Sequence, residues 1–284
     1  MQAVSQAGTA EAGDPRVPAR QAIACLDLTT LNADDRPAEI GVLTALAARA
    51  RAVSGNAPAT LCVFARLLPT ARWALRERGM GGLRLASVCN FPHGGVAARV
   101  TGDEVARALE LGADEIDVVL PWRALLAGDE AAVRALLLAA RRACDAHAWR
   151  QSARKHMRVA PPLLKVILET GELVEANAIR RASEIALDAG ADFLATSTGT
   201  TAIGATPAAV ELMADVVRAR ASAAGIKVSG GVRTLDDAAR YLAIAARAFG
   251  ADAPAPARLR IGASALLGPL LAPWSAVVDA GADA

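Results

Sequence analysis

Short apolar runs alternate with longer helical patterns along almost the whole chain, and this alternation limits the possible folds more than any other feature. The predicted strands are Ala22–Leu28, Thr60–Phe64, Leu83–Val88, Glu115–Val119, Leu163–Leu168, Phe193–Thr196, Lys227–Ser229 and Leu259–Ile261. The predicted helices between them are Ala38–Val53, Pro69–Arg78, Gly102–Leu111, Asp129–Ala146, Val174–Ala189, Pro207–Ala223, Leu235–Ala248 and Ser264–Val278. Such alternation is typical of parallel βα units, and eight repeats favour a closed (β/α)8 TIM barrel over an open, doubly wound sheet.

The expected organisation is one barrel domain over residues 17–284, preceded by a disordered tail over residues 1–16 that is small, polar and contains Gly and Pro. Helix boundaries support the pattern. Thr206-Pro207 predicts a helix start, and Thr234 with Asp237 resembles a capping box. The glycines at 112, 190 and 225 are expected to end helices.

Composition excludes several classes of function. The 284 residues carry 31 basic and 29 acidic side chains, a net charge of +2, which gives no electrostatic case for nucleic acid or a membrane surface. No apolar run is long enough to span a bilayer, and the first residues do not form a signal peptide, so we expect a soluble cytoplasmic protein. The four cysteines form no CxxC pair and the three histidines have no metal-binding spacing, so we expect buried thiols and no metal site.

Lysine usage indicates where the chemistry lies. Only Lys155, Lys165 and Lys227 occur, and the last two lie in apolar strand contexts, where an unpaired ammonium is costly. In such barrels the active side chains project from the C-terminal ends of the strands. In chain order, the polar candidates there are Asp27, Thr29, Thr30, Cys62, Asn90, Glu115, Asp117, Lys165, Glu169, Thr196, Ser197, Thr198, Lys227 and Ser229. Two lysines and several carboxylates in one barrel mouth predict an acid/base site, in which a second cation or desolvation would lower the pKa of a lysine.

Two glycine-bearing turns predict an anion site. Gly230-Gly231 follows the seventh strand, and Gly262-Ala263-Ser264 follows the eighth and opens a helix. Backbone N–H groups in such turns can approach a phosphate, and many barrels bind phosphate here; ordinary tight turns are the alternative. The basic stretch at 149–158 could also bind an anion or a partner, but its position between a helix and a strand favours a solvated surface loop.

Taken together, the motifs resemble those of deoxyribose-phosphate aldolases, from about Asp27 to Leu271. They are Asp27-Leu28-Thr29-Thr30-Leu31, Asn90-Phe91-Pro92-His93-Gly94, Gly112-Ala113-Asp114-Glu115-Ile116-Asp117-Val118-Val119, Leu164-Lys165-Val166-Ile167-Leu168-Glu169-Thr170-Gly171, Thr196-Ser197-Thr198-Gly199, Gly230-Gly231-Val232-Arg233-Thr234 and Gly262-Ala263-Ser264. The resemblance implies an aldehyde-lyase that joins acetaldehyde to glyceraldehyde 3-phosphate through a lysine Schiff base, without metal or organic cofactor. It also implies small-molecule sugar-phosphate and aldehyde partners, a homodimer, and a place in carbohydrate and nucleotide catabolism.

Roles carried over from the resemblance fall into three groups. Asp117 and Lys227 would transfer protons, with Lys227 also lowering the pKa of a neighbouring amine, and Lys165 and Asp27 would belong to the surrounding polar network. Thr29 and Cys62 would lie near the substrate. Thr198 would also bind the substrate, and the phosphate would be held by Gly199, Gly230, Gly231, Gly262 and Ser264.

The sequence departs from this family at decisive positions. Ala195 stands where the family has its Schiff-base lysine, Thr200 where several members have a second lysine, and no tyrosine ends the chain. Because a methyl group cannot form an imine, we expect the family reaction to be lost or slowed by several orders of magnitude, with an open space beside Ala195. Three alternatives stay open: an engineered variant of a working aldolase, a sugar-phosphate-binding relative without activity, or an aldolase that uses Lys227 or Lys165 as nucleophile.

Overall fold

The computed structural model describes residues 14–250 and 255–275, and they form a closed barrel of eight parallel strands, each hydrogen-bonded to its neighbours in chain order. The strands are β1 Leu26–Thr29, β2 Thr60–Cys62, β3 Arg84–Cys89, β4 Glu115–Val119, β5 Leu163–Ile167, β6 Phe193–Ala195, β7 Gly225–Ser229 and β8 Leu259–Ala263. The pairing of β1 with β8 closes the barrel. The predicted (β/α)8 barrel is confirmed.

Helices surround the barrel and connect its strands. They are α1 Arg16–Ala24, α2 Pro37–Ser54, α3 Leu68–Glu77, α4 Ala98–Glu110, α5 Trp122–Leu126, α6 Glu130–Lys155, α7 Thr170–Leu173, α8 Ala176–Asp188, α9 Pro207–Ala219, α10 Leu235–Phe249 and α11 Leu267–Ser275. Their apolar faces pack against the outside of the strands and form the main hydrophobic core. Among the residues that the structure describes, no helix is long and apolar enough to cross a bilayer.

Several helix boundaries follow from local chemistry. Thr206 accepts a hydrogen bond from the N–H of Ala209 at the start of α9, and the predicted capping box of Thr234 and Asp237 is present at α10. Gly112 and Gly190 adopt positive φ just after α4 and α8, as the sequence predicts. The boundaries of these helices are therefore fixed by short-range interactions.

Other predictions at the ends of the elements were wrong. Gly225 ends no helix; it begins β7, where a Cβ would lie 2.3 Å from the Phe193 ring. Residues 22–24 belong to α1, which packs against α10 and α11, so the first strand begins only at Leu26. The helix expected over 174–189 begins at Ala176, because Val174 adopts φ 55° and separates α7 from α8.

The basic stretch at 149–158 is not a loop over most of its length. Helix α6 runs through it to Lys155 and ends at His156, which adopts the left-handed conformation. No glycine or proline interrupts the sequence between 130 and 155, so nothing local stops the helix. The tail expected over residues 1–16 and the last residues of the predicted final helix, 276–278, lie largely or wholly outside the described residues.

Candidate active site

A cavity of about 380 Å³ opens at the C-terminal ends of the strands. It is lined by Thr29, Thr30, Leu31, Asn32, Cys62, Val88, Phe91, Asp117, Ile167, Ser197, Thr198, Gly199, Thr200, Lys227, Ser229, Gly230, Gly231, Val232, Arg233, Gly262, Ala263, Ser264 and Ala265. Most of the site residues predicted from the sequence therefore share one cavity. Several predicted residues lie outside its lining. Six of them are fully buried, namely Asp27, Glu115, Lys165, Glu169, Ala195 and Thr196, and Asn90 is the seventh.

Asp117 and Lys227 form the polar floor of this cavity. Nζ of Lys227 lies 2.5 Å from Oδ2 of Asp117 and 2.9 Å from Oδ2 of Asp27. Nζ of Lys165 lies 2.7 Å from Oδ1 of Asp117, 2.8 Å from Glu115 and 3.3 Å from Asp27. Strand pairing explains the arrangement, because Asp117 is the register partner of Lys165 on the next strand.

Arg260 completes the cluster on the side away from the cavity. Its guanidinium lies 2.7 Å from Asp27 and 3.0 Å from Glu115, and it is 4% exposed. Sequence reasoning missed Arg260, and it named Glu115 only as one of the polar candidates at the barrel mouth, without a specific role. The available signal was a charged residue within the apolar run Leu259-Arg260-Ile261, the same pattern that singles out the two lysines. The buried cluster thus joins three carboxylates, Asp27, Glu115 and Asp117, to three buried cations, Lys165, Lys227 and Arg260. The half-exposed Arg84 adds a further contact to Glu115 at 3.2 Å.

The cluster sets the protonation states of its members. Burial alone would lower the pKa of Lys227, but the carboxylates of Asp117 and Asp27 outweigh it and raise this pKa well above its ordinary value. The pKa of Lys165 is raised by the same balance. Burial works the other way on Asp117, yet Lys165 and Lys227 hold the pKa of its carboxyl below the usual value. Both amines are therefore ammonium groups at neutral pH, contrary to the expectation of a lysine pKa shifted towards neutrality.

Ala195 lies in the barrel interior between Ile167 of β5 and Lys227 of β7, its register partners. It is fully buried and forms a small apolar cluster with Val119 and Ile167, against which Phe91 packs. The prediction of an open space beside Ala195 is therefore wrong. The cavity begins beyond Phe91 and Ile167, which line it.

The glycine-bearing turns after β7 and β8 form another wall of the cavity. Gly230 adopts φ +82°, and a Cβ on it would lie 2.9 Å from Cα of Gly204. Gly262 leaves room for a functional side chain instead, since its Cβ would lie 2.9 Å from Cε of Lys227. Arg233 also lines the cavity and brings an exposed cation to this wall. The helix that follows Ser264 begins only at Leu267, later than predicted.

The loop after β6 is attached to the loop after β5 by Glu169. This carboxylate is fully buried and accepts hydrogen bonds from the N–H of Thr198 at 3.2 Å and from the hydroxyl of Thr201 at 3.2 Å. Within the loop, the hydroxyl oxygens of Thr198 and Thr200 lie 2.8 Å apart. Thr200 lines the cavity and offers it a hydroxyl group.

Thr29 and Cys62 lie on the wall formed by β1 and β2. The hydroxyl of Thr29 donates to the carbonyl oxygen of Asp27 at 2.8 Å. Burial raises the pKa of the Cys62 thiol to about 12, so it stays protonated and is a weak nucleophile.

A closed parallel barrel with a polar cavity at the C-terminal ends of its strands is the architecture of many enzymes. A family model described as DeoC/LacD family aldolase matches residues 21–267. The chain belongs to this family of aldolases, and the resemblance predicted from its motifs is confirmed.

The chain is also similar to several solved structures. A crystal structure from Toxoplasma gondii described as a "putative deoxyribose-phosphate aldolase" is 24% identical, with a TM-score of 0.78 over 92% of this chain and 95% of that one. One from Coccidioides immitis with the same description is 28% identical, with a TM-score of 0.71 over 89% and 85%. The deoxyribose phosphate aldolase from Aeropyrum pernix, described as tetrameric, is 23% identical, with a TM-score of 0.65 over 94% and 100%.

Proposed function

We propose that this chain carries a deoxyribose-phosphate aldolase site that binds the open-chain sugar phosphate but lacks the amine for the covalent step. The observation that carries the proposal is the pair Asp117 and Lys227 at the floor of a glycine-walled cavity, with Ala195 as the register partner of Lys227. With alanine at position 195, the chain is a severely impaired aldehyde-lyase.

The missing step can be stated in bonds. In a lysine aldolase, the amine nitrogen bonds to the aldehyde carbon of the sugar and the carbonyl oxygen leaves as water. Removal of the proton from the hydroxyl on C3 then breaks the C2–C3 bond, releasing glyceraldehyde 3-phosphate and leaving an enamine that is hydrolysed to acetaldehyde. In the proposed site Asp117 and Lys227 would move protons in these steps, but Ala195 offers no nitrogen to begin them.

The two buried lysines do not replace the missing amine at neutral pH. A nucleophilic amine must be neutral, whereas carboxylates raise the pKa of both Lys165 and Lys227. Lys165 has no exposed surface. Lys227 lines the cavity, but its ammonium is paired with Asp27 and Asp117. These contacts favour a disabled Schiff-base site over an aldolase with a relocated nucleophile.

Binding does not need the amine. The turns at Gly230-Gly231 and Gly262-Ala263-Ser264 present backbone N–H groups near the cavity, and Arg233 supplies a positive charge. These groups support recognition of a phosphorylated small molecule. A sugar-phosphate-binding protein without turnover is accordingly the second candidate function, favoured by this intact wall together with Ala195.

The deciding experiment is borohydride reduction in the presence of acetaldehyde, followed by mass spectrometry of the peptides. It compares the unaltered chain, Ala195→Lys, and Ala195→Met, which adds similar length without an amine. We expect an ethyl adduct only at position 195 of Ala195→Lys, with cleavage of deoxyribose 5-phosphate restored in that variant alone. An adduct on Lys227 or Lys165 of the unaltered chain would instead establish a relocated nucleophile.

Thermal-shift titration with deoxyribose 5-phosphate separates the two candidates. Stabilisation of all three proteins, with turnover in Ala195→Lys, supports the disabled aldolase. Stabilisation without turnover in any of them supports the binding protein. If Ala195→Lys shows neither adduct nor turnover nor binding, the aldolase assignment of this site is wrong. A homo-oligomer acting in the cytoplasm is part of the same proposal, and the tetrameric aldolase from Aeropyrum pernix supports the assembly.

A further inference from the structure

A second cavity, which shares no lining residue with the one at the barrel mouth, lies beside the loop that follows β6. It has a volume of about 370 Å³ and is bounded by α7, the start of α8, the first two turns of α9 and the second half of that loop. Its large lining residues are Val174, Ile179, Ile203 and Leu212, and every described residue that lines it is uncharged. This apolar cavity therefore offers a charged ligand no ion-pair partner.

One lining residue gives the apolar cavity a polar group. Thr170, the first residue of α7, is 4% exposed, and its hydroxyl forms no hydrogen bond within the part of the chain that the structure describes. Thr206, the other threonine in the lining, already accepts a hydrogen bond from the N–H of Ala209. Buried hydroxyl groups in proteins normally have a hydrogen-bond partner, so Thr170 is the residue to which a ligand would supply one.

The rim of the apolar cavity contains a strained residue. Val174 adopts φ 55° and ψ −60°, which is rare for a β-branched side chain, and it is 68% exposed. Backbone strain of this kind persists mainly at functional sites. Ile203, in the loop after β6, is 52% exposed. An apolar ligand in the cavity would remove part of both side chains from water, which favours binding.

We propose that the apolar cavity binds a small, uncharged and mainly apolar molecule that carries one hydroxyl or carbonyl group bonded to Thr170. A mostly apolar lining with very few polar groups is typical of small-molecule sites, whose volumes are about 300–1,000 Å³. A sugar phosphate does not fit this description, because its charge and its hydroxyl groups would lose water without gaining partners. The ligand therefore differs in class from the substrate proposed for the barrel mouth.

The loop after β6 forms a wall of both cavities. Its residues from Ser197 to Thr200 line the cavity at the barrel mouth, whereas Ile203 and Gly204 line the apolar cavity. Gly204 packs so closely on the turn after β7 that a Cβ on it would lie 2.5 Å from the carbonyl oxygen of Gly230. A ligand that holds this part of the loop in place therefore also holds the wall of the neighbouring cavity. We expect the two ligands to favour each other's binding, because such coupling is reciprocal. This coupling rests on the proposed function, whereas binding in the apolar cavity does not.

Titration calorimetry with three matched probes tests the site. They are p-cresol, which has a hydroxyl group, toluene, which lacks it, and 4-methylbenzoate, which is charged. We expect p-cresol to bind once per chain with a Kd of about 1 mM or lower, and 4-methylbenzoate not to bind. Thr170→Val should weaken p-cresol about fivefold relative to toluene, because only p-cresol loses a hydrogen bond.

Two phenylalanine variants locate the probes. Ala208→Phe adds a ring to the lining from an exposed position on α9, and it should abolish binding of p-cresol and toluene. Ala219→Phe is the matched control, since Ala219 is an exposed residue at the other end of α9 and outside the lining. It should leave both affinities unchanged.

Several results would overturn the proposal. Among them are the absence of saturable binding of p-cresol and toluene at several millimolar, retention of binding in Ala208→Phe, and an equal loss in Ala219→Phe. A ratio of the two affinities that Thr170→Val does not change would also count against it. So would an affinity that falls as the protein concentration rises, since a second copy of the chain would then cover the cavity.

Hydrogen exchange and a second titration test the coupling. Saturating p-cresol should slow amide exchange in peptides that cover residues 197–206, and it should tighten binding of deoxyribose 5-phosphate about fivefold. Unchanged exchange and unchanged affinity would show that the loop does not couple the cavities. If deoxyribose 5-phosphate does not bind at all while p-cresol binds and slows exchange, the proposed function is wrong and the apolar site stands.

Discussion

Ala195 and Lys227 are register partners on adjacent strands of the barrel, so a side chain introduced at position 195 starts beside a buried ammonium group. Nζ of that lysine is held by Asp117 and Asp27. A charged neighbour of this kind favours the neutral form of a second amine. The pKa of an amine introduced at position 195 would therefore depend on Lys227 and on the carboxylates of Asp117 and Asp27.

The first prediction concerns the pH at which an amine at position 195 becomes reactive. In the Ala195→Lys background, replacement of Lys227 by Met removes a positive charge and leaves the nearby carboxylates less neutralised. Both changes raise the pKa of the new amine, so the pH midpoint for borohydride trapping with acetaldehyde should rise by at least about one unit. Lys227→Arg keeps the charge and should leave the midpoint nearly unchanged. An equal shift in both variants would contradict this electrostatic role.

The second prediction concerns stability in acid. Lys165 and Lys227 hold the pKa of Asp117 below its usual value, so its stabilisation is fully present above about pH 5 and is lost as the pH falls through the lowered pKa. Asp117→Asn should lower the free energy of unfolding at pH 7 by about 3–5 kcal/mol, because it leaves buried ammonium groups short of a partner. Urea unfolding between pH 3 and pH 8 checks this. The difference between the two proteins should shrink towards pH 3, and a constant difference would refute the linkage.

The third prediction compares two adjacent glycines. Gly230 and Gly231 both have positive φ, +82° and +87°, but only a Cβ on Gly230 would collide with the backbone of Gly204. Gly231→Ala should cost only the backbone strain, about 1 kcal/mol of unfolding free energy, whereas Gly230→Ala should cost clearly more. Gly230→Ala should also weaken binding of deoxyribose 5-phosphate at least about tenfold, measured by titration calorimetry. Equal losses in both variants would show that the close contact with Gly204 is unimportant.

The fourth prediction concerns Glu169. Its carboxylate accepts hydrogen bonds from Thr198 and Thr201 and so positions the loop that lines the cavity. Glu169→Gln retains a carbonyl oxygen as acceptor and should keep most of the affinity for the sugar phosphate. Glu169→Ala leaves the half-buried N–H of Thr198 without its acceptor. This should cost about 1 kcal/mol and weaken binding markedly. Titration of both variants provides the measurement, and a Gln variant as impaired as the Ala variant would contradict the positioning role.

The barrel could be predicted because the residues that define its strands and several helix ends are close together in the sequence. Each strand is an apolar run bounded by turn residues, and Thr206 and Thr234 cap their helices with their own side chains. Helix α1 could not be predicted in the same way. Its nine residues gain their helical state from packing against α10 and α11, which lie far away in the chain.

The site could be predicted only where a residue type was unusual for its position. Lys165 and Lys227 could be predicted as site residues because lysine is rare in this chain and both lie in apolar runs. Arg260 also lies in an apolar run, but it was not predicted as a site residue. Arginine supplies nearly all the positive charge of the chain, so another arginine is not unusual. The raised pKa of the lysines could not be foreseen, since it depends on strand register, which brings carboxylates from β1 and β4 to one point.

The buried cluster of three acids and three bases has a consequence for how this lineage can change. Replacement of any one of these six residues alone leaves an opposite charge buried without its partner, which lowers the stability of the fold. Selection for a folded barrel would thus preserve Asp117, Lys165 and Lys227 even in a descendant that had ceased to turn over substrate. Position 195 belongs to no ion pair, so this constraint does not apply to it. A mutation there can abolish the reaction while the residues of the buried cluster are retained.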